Sequence, residues 1–155
     1  MKSHTVPVMD IEFIEKELSL SKAGVLGFID VEENLVQNVY PFLYANKNIY
    51  IFLEDIDETF QKLNFDLKII FTVISTENIE EDDPDKSGYF YKFMQIKFTG
   101  NVKIEGDKKI VDDLYNQFLQ KYSYDESNLE YGYLSRIQIL SLDTEEIQAA
   151  IVTWK

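Results

Sequence analysis

The side chains that most often do acid–base or nucleophilic chemistry are scarce in this chain. His4 is the only histidine, and it lies in a predicted N-terminal arm, so the sequence does not support a Ser–His–Asp triad. The chain has no cysteine, which excludes disulfides, zinc–thiolate sites and cysteine nucleophiles. Arg136 is the only arginine, so lysines must supply the other positive contacts without the bidentate fork of a guanidinium group.

The segment Asp83-Pro84-Asp85-Lys86-Ser87-Gly88 copies the start of a calcium-binding loop. The twelfth position of such a loop would be Met94, where calcium loops carry a bidentate glutamate. The residues before Met94 also have the pattern of a strand and not of an exiting helix. We therefore predict a solvated acidic turn here and no metal site.

The net charge and the composition argue against several classes of partner. The formal net charge of −13 argues against nucleic-acid partners and against an anionic membrane surface, since both require a basic face. The 155 residues predict a single domain, 1–155, that buries roughly two thirds of its unfolded surface, with residues 1–8 as a flexible arm. The N-terminal residues MKSHTVPVMDIEF lack an apolar signal region, so we expect a cytoplasmic protein.

Residue periodicity predicts a mainly β domain. Asp10 is placed to cap a helix that runs to about Leu20, with Ile11, Ile14 and Leu18 on its apolar stripe. A second helix opens at Asp107, and a short one covers Thr59 to Asn64. Predicted strands cover Gly24–Asp30, Leu35–Tyr44, Ile49–Leu53, Lys68–Ser75, Tyr89–Glu105, Arg136–Leu142 and Ile147–Trp154. Short connections favour antiparallel pairing of these six or seven strands.

The second predicted strand carries aromatic side chains in alternation. Tyr40, Phe42 and Tyr44 take one face of it, and Val39, Pro41 and Leu43 take the other. Tyr40 could pack in the core or face a cleft. Pro41 lacks an N–H, so it indicates an edge or a break in the pairing. Gly100 lies in register between the alternating apolar residues of the fifth strand, where a glycine indicates a bulge or a bend.

The order of these segments resembles the pyridoxamine 5′-phosphate oxidase-like, FMN-binding split-barrel superfamily from about Asp10 onward. GVLGFID stands where members carry "G-x-L-A-T", and NVYPFLY with NIYIFL stands where they read "x-V-x-P-x-x-Y" and "I-Y-F". KLNFDLKIIF is similar to "L-x-x-N-P-x-V-x-F". FMQIKFTGNVKIEGDKKIVDDLYNQFLQKY is similar to the strand "V-x-V-x-G-x-A" with the amphipathic helix that follows it.

The resemblance implies a six-stranded antiparallel barrel that forms a homodimer and binds FMN in the cleft between subunits. The flavin ring would then lie near Asn38, Val39, Tyr40 and Pro41. The phosphate would lie near the short helix, with Thr59, Lys62 and Lys68 as its contacts. An FMN-dependent oxidoreductase is the enzyme class that this implies. Relatives also bind a deazaflavin or heme, and heme is the weaker hypothesis here because His4 is the only histidine.

The predicted phosphate site departs from the family pattern. Glu58, Thr59 and Gln61 stand where FMN-binding members usually place cationic and hydroxyl side chains. Two readings of the nearby charges are open: Lys62 binds phosphate, or it pairs with Glu58 one helical turn away. Asp57 can act as the helix cap. The alternative function is therefore a cofactor-free dimeric barrel that has lost the phosphate site and acts as a binding module.

Overall fold

The computed structural model describes residues 3–76, 91–122 and 136–154. The calcium-like segment 83–88 lies outside them. The helices are α1 (Ile11–Leu20), α2 (Glu58–Lys62) and α3 (Lys108–Tyr122). The strands are β1 (Ser3–Pro7), β2 (Gly24–Ile29), β3 (Leu35–Tyr40), β4 (Phe42–Ala45), β5 (Asn48–Glu54), β6 (Ile69–Ser75), β7 (Tyr91–Ile104) and β8 (Ile137–Trp154).

The strands form one antiparallel sheet in the order β3-β2-β6-β7-β8-β5-β4, with β1 added beside β8. The two ends of that order, β3 and β4, are consecutive in the chain and are separated only by Pro41. A segment predicted as a single strand thus pairs with β2 before Pro41 and with β5 after it. The sheet therefore curls round until its two ends meet at Pro41, which confirms the predicted break.

The N-terminal residues differ from the predicted arm. Ser3–Pro7 is a strand that pairs with Ala150–Trp154 along its whole length. All of its side chains are exposed, so no apolar alternation marks it in the sequence. Backbone hydrogen bonds to β8 hold it in place, and Val8 extends the contact by donating from its N–H to the carbonyl of Ala149 at 2.9 Å.

The last predicted pair of strands is one continuous strand, β8. It pairs with β5 through its first residues and with β7 through most of its length. The register with β7 shifts between Thr99 and Gly100, which confirms the predicted bulge. A Cβ at Gly100 would lie 2.0 Å from the carbonyl oxygen of Asp143, so only glycine fits this crossing.

The interior of the curled sheet is the main core. Its largest fully buried side chains include Phe42, Phe71 and Phe98, and the rings of Phe42 and Phe71 meet edge to face with centroids 5.4 Å apart. Helix α1 contributes Ile14 and Leu18 to this core. Its predicted cap is confirmed, since Asp10 accepts from the N–H of Phe13 at 3.2 Å. Ile11 is 61% exposed, so its place on the predicted apolar stripe is wrong.

Helix α3 packs on the outside of the sheet, over β4, β5 and β8. Leu114 and Phe118 of the helix join Leu43, Phe52 and Ile139 of the strands in a second apolar cluster. The ring of Phe118 stacks on that of Phe52 with centroids 4.3 Å apart. No helix in the described part of the chain is long and apolar enough to cross a membrane.

Candidate functional site

Strand β3 and helix α2 are joined by a network of polar side chains, which we call the β3–α2 network: Asn38, Tyr40, Asp57 and Thr59. The side-chain amide of Asn38 donates to Thr59 Oγ1 at 2.7 Å. The hydroxyl of Tyr40 donates to Asp57 Oδ1 at 2.9 Å, and the N–H of Thr59 donates to the same oxygen at 2.8 Å. The structure thus brings together three of the residues that the sequence placed at a cofactor, and that role stays a prediction.

Asp57 is the residue that organises this network. It caps α2, as the sequence predicted, because its side chain accepts from the N–H of Thr59. The same carboxylate accepts a hydrogen bond from the hydroxyl of Tyr40 on β3. The sequence indicated the cap but not the tyrosine contact, since that contact depends on how the strand and the helix meet in three dimensions.

Tyr40 belongs to the core, and only its hydroxyl reaches the network. The residue is 8% exposed and lies in the main apolar cluster. Burial raises the pKa of its phenol to about 12, and the hydrogen bond to Asp57 adds to this while one to Thr59 opposes it. Tyr40 is therefore a neutral donor at physiological pH, with its ring in the core and not in an open cleft.

Replacing Tyr40 by Phe should lower the free energy of unfolding by about 1.5 kcal/mol, because the variant lacks the hydroxyl that donates to the carboxylate of Asp57. Urea denaturation measures this. In an Asp57→Ala background the hydroxyl of Tyr40 has no carboxylate to donate to. Tyr40→Phe should then lower the free energy of unfolding by less than half as much. An equal cost in both backgrounds would show that the hydroxyl does not act through Asp57.

Lys62 and Lys68, the predicted phosphate contacts, both pair with carboxylates. Lys62 Nζ lies 2.8 Å from Glu58 and 3.6 Å from Glu32, and the hydrogen bond to Glu58 is the main cause that raises its pKa. This is the i,i+4 pair that the sequence offered as the alternative to phosphate binding. Lys68 Nζ lies 2.6 Å from Glu145 of β8. The structure thus places both lysines in ion pairs and outside the hydrogen bonds of the β3–α2 network.

The turn between β2 and β3 fixes the far end of α2. Asp30, which is 3% exposed, accepts the N–H groups of Glu32 and Asn34 with one side-chain oxygen. The N–H of Val31 donates to the carbonyl of Lys62 at 2.9 Å, and Asp30 forms a bridge with Leu63. The sequence predicted Asp30 as the last residue of a strand, and the single local signal of this turn is an Asp two residues before the N–H that it accepts.

No protein-family model matches this sequence, and a search of the curated proteins gives no match. Solved structures do match. A candidate 5-nitroimidazole antibiotic resistance protein from Bacteroides thetaiotaomicron has a TM-score of 0.79 at 14% identity, over 99% of this chain and 90% of that one. A FAD-binding protein from Mesorhizobium loti has a TM-score of 0.66 at 12% identity, over 97% and 99%.

A third match bears directly on the predicted fold. A candidate pyridoxamine 5′-phosphate oxidase from Listeria innocua has a TM-score of 0.61 at 12% identity, over 89% of this chain and 95% of that one. The chain has the split-barrel fold. The fold class and the resemblance predicted from the sequence are thereby confirmed. At these identities the likeness concerns the architecture.

One outer face of the split barrel is apolar, and several of its side chains are exposed. We call it the open face: the outward residues of β2, β3 and β6, namely Val25, Gly27, Ile29, Leu35, Gln37, Val39, Ile70, Thr72 and Ile74. Leu35 is 85% exposed, Val39 65% and Ile74 52%. Helix α3 covers a different part of the barrel. The open face has no acidic residue at these positions, although the chain carries a net charge of −13.

The last residues of α3 form hydrogen bonds to Phe42, directly after the strand break at Pro41. Lys121 Nζ donates to the carbonyl of Phe42 at 2.9 Å and lies 4.0 Å from the centre of its ring. The hydroxyl of Tyr122 accepts the N–H of Phe42 at 3.1 Å. Burial, with a smaller contribution from Lys22, lowers the pKa of Lys121 to about 8. Carbonyls and rings thus hold this ammonium group, with no carboxylate among its partners in the described ranges.

The free energy of unfolding should rise between pH 8 and pH 9.5. The folded pKa of Lys121 is about 8 and its ordinary value is 10.5, so in this window the unfolded chain binds more protons than the folded one. The gain should be on the order of 1 kcal/mol, since solvent contact screens the partly buried amine. Urea denaturation across this range measures it. Lys121→Met should abolish the rise in stability, and the control Lys108→Met should keep it. A rise that persists in Lys121→Met would show that another group causes it.

The β3–α2 network and its neighbours do not fit a dianionic phosphate. The N–H of Thr59 already donates to Asp57, and Thr59 is 3% exposed with its hydroxyl bound to Asn38. Lys62 lies between Glu58 and Glu32. A phosphate at this end of α2 would meet more carboxylates than free cations. Within the described ranges, no cluster of His, Asp and Glu is arranged to hold a metal ion.

Proposed function

We propose that this protein is a homodimeric flavin-binding split barrel, in which the ring of the flavin lies beside β3 at the seam between two copies. The observation that carries the proposal is the position of the β3–α2 network at the border of the open face. Asn38 and Val39 are consecutive exposed residues of β3, with Val39 65% exposed on the open face and the side chain of Asn38 on the opposite face of the strand, beside Thr59. An apolar surface with a few placed polar groups is what a planar, heteroaromatic ligand requires.

The open face supports the dimer. Apolar side chains lie opposite one another across its strands, with the exposed Ile29 beside the exposed Leu35 and the half-buried Val25 beside the exposed Val39. A contiguous apolar face of this kind is typical of an interaction surface. A two-fold dimer would bury the same acid-free face on both copies, so it would avoid the repulsion expected from two strongly acidic chains.

A flavin would supply the redox chemistry, and the protein would supply binding and orientation. This division of labour accounts for a described site that contains no histidine and whose tyrosine is a neutral hydrogen-bond donor. Likeness of fold to a FAD-binding protein adds support at the level of architecture. We accordingly propose flavin-dependent oxidoreduction as the activity of the protein. We propose the cytoplasm as its location.

Titration of flavin fluorescence tests the proposal. Addition of the protein to riboflavin and, separately, to FMN should change the emission of at least one of them with saturation at a flavin-to-chain ratio of one. Asn38→Ala should weaken that binding roughly tenfold, since it removes a polar contact to the ring. A protein that leaves the emission of both flavins unchanged would contradict the proposal.

The second candidate function is a dimeric barrel that binds no cofactor and acts as an interaction module. The ion pairs of Lys62 with Glu58 and of Lys68 with Glu145 favour it, because they leave the predicted phosphate contacts engaged. A dimer that binds neither flavin would support this candidate. A yellow protein as purified would remove it.

A further inference from the structure

We propose that the flavin site selects a flavin without a terminal phosphate, of the riboflavin class, over FMN. This inference rests on the proposed function, since it names the ligand class of the same site. It arises from the disagreement between the family resemblance, which implies that the phosphate of FMN lies at α2, and the side chains that this chain places there.

Thr59, at the start of α2, makes its hydrogen bonds within the protein. The N–H of Thr59 donates to Asp57 Oδ1, and Asp57 itself takes the cap position that an anionic ligand would need. The hydroxyl of Thr59 is buried and bound to the amide of Asn38. A phosphate could bind the N–H of Thr59 only after the aspartate had been displaced, and it could approach the buried hydroxyl only after the amide of Asn38 had moved.

The cations near α2 are outnumbered by acids. Lys62 pairs with both Glu58 and Glu32, so a single ammonium group already faces two carboxylates. Lys68 pairs with Glu145 on another strand. To bind a phosphate, Lys62 and Lys68 would therefore have to leave these carboxylates or share their charge with them.

The charge that remains at this end of the barrel repels anions. Asp57 and Glu58 lie at the first turn of α2, and Asp55 comes just before them in the chain. At physiological ionic strength, charges within about 8 Å interact without full screening. A dianionic phosphate placed here would meet like charges at short range, whereas the uncharged ribityl chain of riboflavin would not.

Paired titrations test the selection. With flavin-free protein, the Kd for riboflavin should be at least tenfold lower than the Kd for FMN at pH 7.5 and low ionic strength. Added salt should strengthen FMN binding and leave riboflavin binding unchanged, because it screens repulsion. Lowering the pH to about 5.5 should also strengthen FMN binding, since the second pKa of a phosphate monoester is about 6.

Charge variants identify the source of the discrimination. Glu58→Lys should tighten FMN binding at least tenfold with little change for riboflavin. The matched control is Asp112→Asn on α3, which removes the partner of Lys108 in another exposed i,i+4 ion pair, at 3.7 Å. That control should leave the ratio of the two Kd values as in the wild type.

The outcomes separate this inference from the proposed function. Tighter binding of FMN than of riboflavin by the wild type would overturn the selection and leave flavin binding standing. Binding of neither flavin would overturn both. A preference for riboflavin that Glu58→Lys does not reduce would also overturn the inference, because the acids of α2 would not be its source.

Discussion

Gly100→Ala should lower the free energy of unfolding by about 3 kcal/mol, which makes it one of the most damaging small substitutions in this chain. The added Cβ would lie 2.0 Å from the carbonyl oxygen of Asp143 and 2.9 Å from its carbonyl carbon. Both are backbone atoms of β8 at the bulge, so no side chain can rotate away to make room. Relief would require the long β7–β8 ladder to separate where its register shifts.

Gly106→Ala is the matched control, because a Cβ at Gly106 would meet nothing within 4 Å. It should leave stability unchanged or raise it by about 0.5 kcal/mol through the lower entropy of the unfolded chain. Urea denaturation of the two variants measures the difference. A Gly100→Ala protein as stable as Gly106→Ala would contradict the close crossing of β7 and β8.

Ile70→Asp should convert the proposed dimer to a monomer, with dimer affinity roughly 100-fold weaker or worse. Ile70 is 48% exposed on the open face, opposite Gly27 of β2, so its replacement leaves the core of each monomer intact. In a dimer the new carboxylate would be buried against an apolar face without a partner. Sedimentation equilibrium over a range of concentrations measures the change in association.

Ile110→Asp is the control for that experiment, since Ile110 is similarly exposed, at 40%, but lies on α3 and away from the open face. It should associate as the wild type does. Ile70→Asp that still forms dimers, or Ile110→Asp that dissociates, would place the interface on another surface. Circular dichroism of both variants should report an unchanged fold, because neither side chain is buried.

Much of this architecture could be predicted from local sequence. The alternation of Ile69, Phe71 and Val73 specifies the buried side of β6, and Asp10 and Asp57 mark helix starts through their side-chain chemistry. Gly100 could be predicted as a bulge because a glycine within an alternating strand usually marks one. Pro41 could be predicted as a break because it lacks an N–H. These signals need only a few neighbouring residues.

The rest depended on pairs of residues that are far apart in the chain. Nothing local indicates that Ser3–Pro7 pairs with β8, since the strand is exposed throughout and forms through backbone hydrogen bonds alone. The partner of Lys68 could not be predicted either, because Glu145 reaches it only through the sheet order. The contact of Tyr40 with Asp57 is of the same kind. Three members of the β3–α2 network, Asn38, Tyr40 and Thr59, were therefore predicted to lie near one another, but the hydrogen bonds that join them through Asp57 were not.

The network also changes how the predicted flavin contacts are understood. Tyr40 and Thr59 hold β3 to α2, so their removal would disturb the position of Asn38 even if neither touched a ligand. Val39 and Asn38 are the exposed members of the predicted ring site. Asn38 also donates to Thr59, so a variant at Val39, which takes part in none of these hydrogen bonds, is the one that separates ligand contact from support of the fold.

Size-exclusion chromatography with light scattering and a visible absorbance detector tests the central claim most directly. The protein is mixed with excess riboflavin, separated from free flavin on the column, and followed by mass and by flavin absorbance together. We predict flavin absorbance that elutes with a species of twice the chain mass, at one flavin per chain. Flavin that elutes entirely free, beside a protein peak without visible absorbance, would contradict a flavin-binding split barrel.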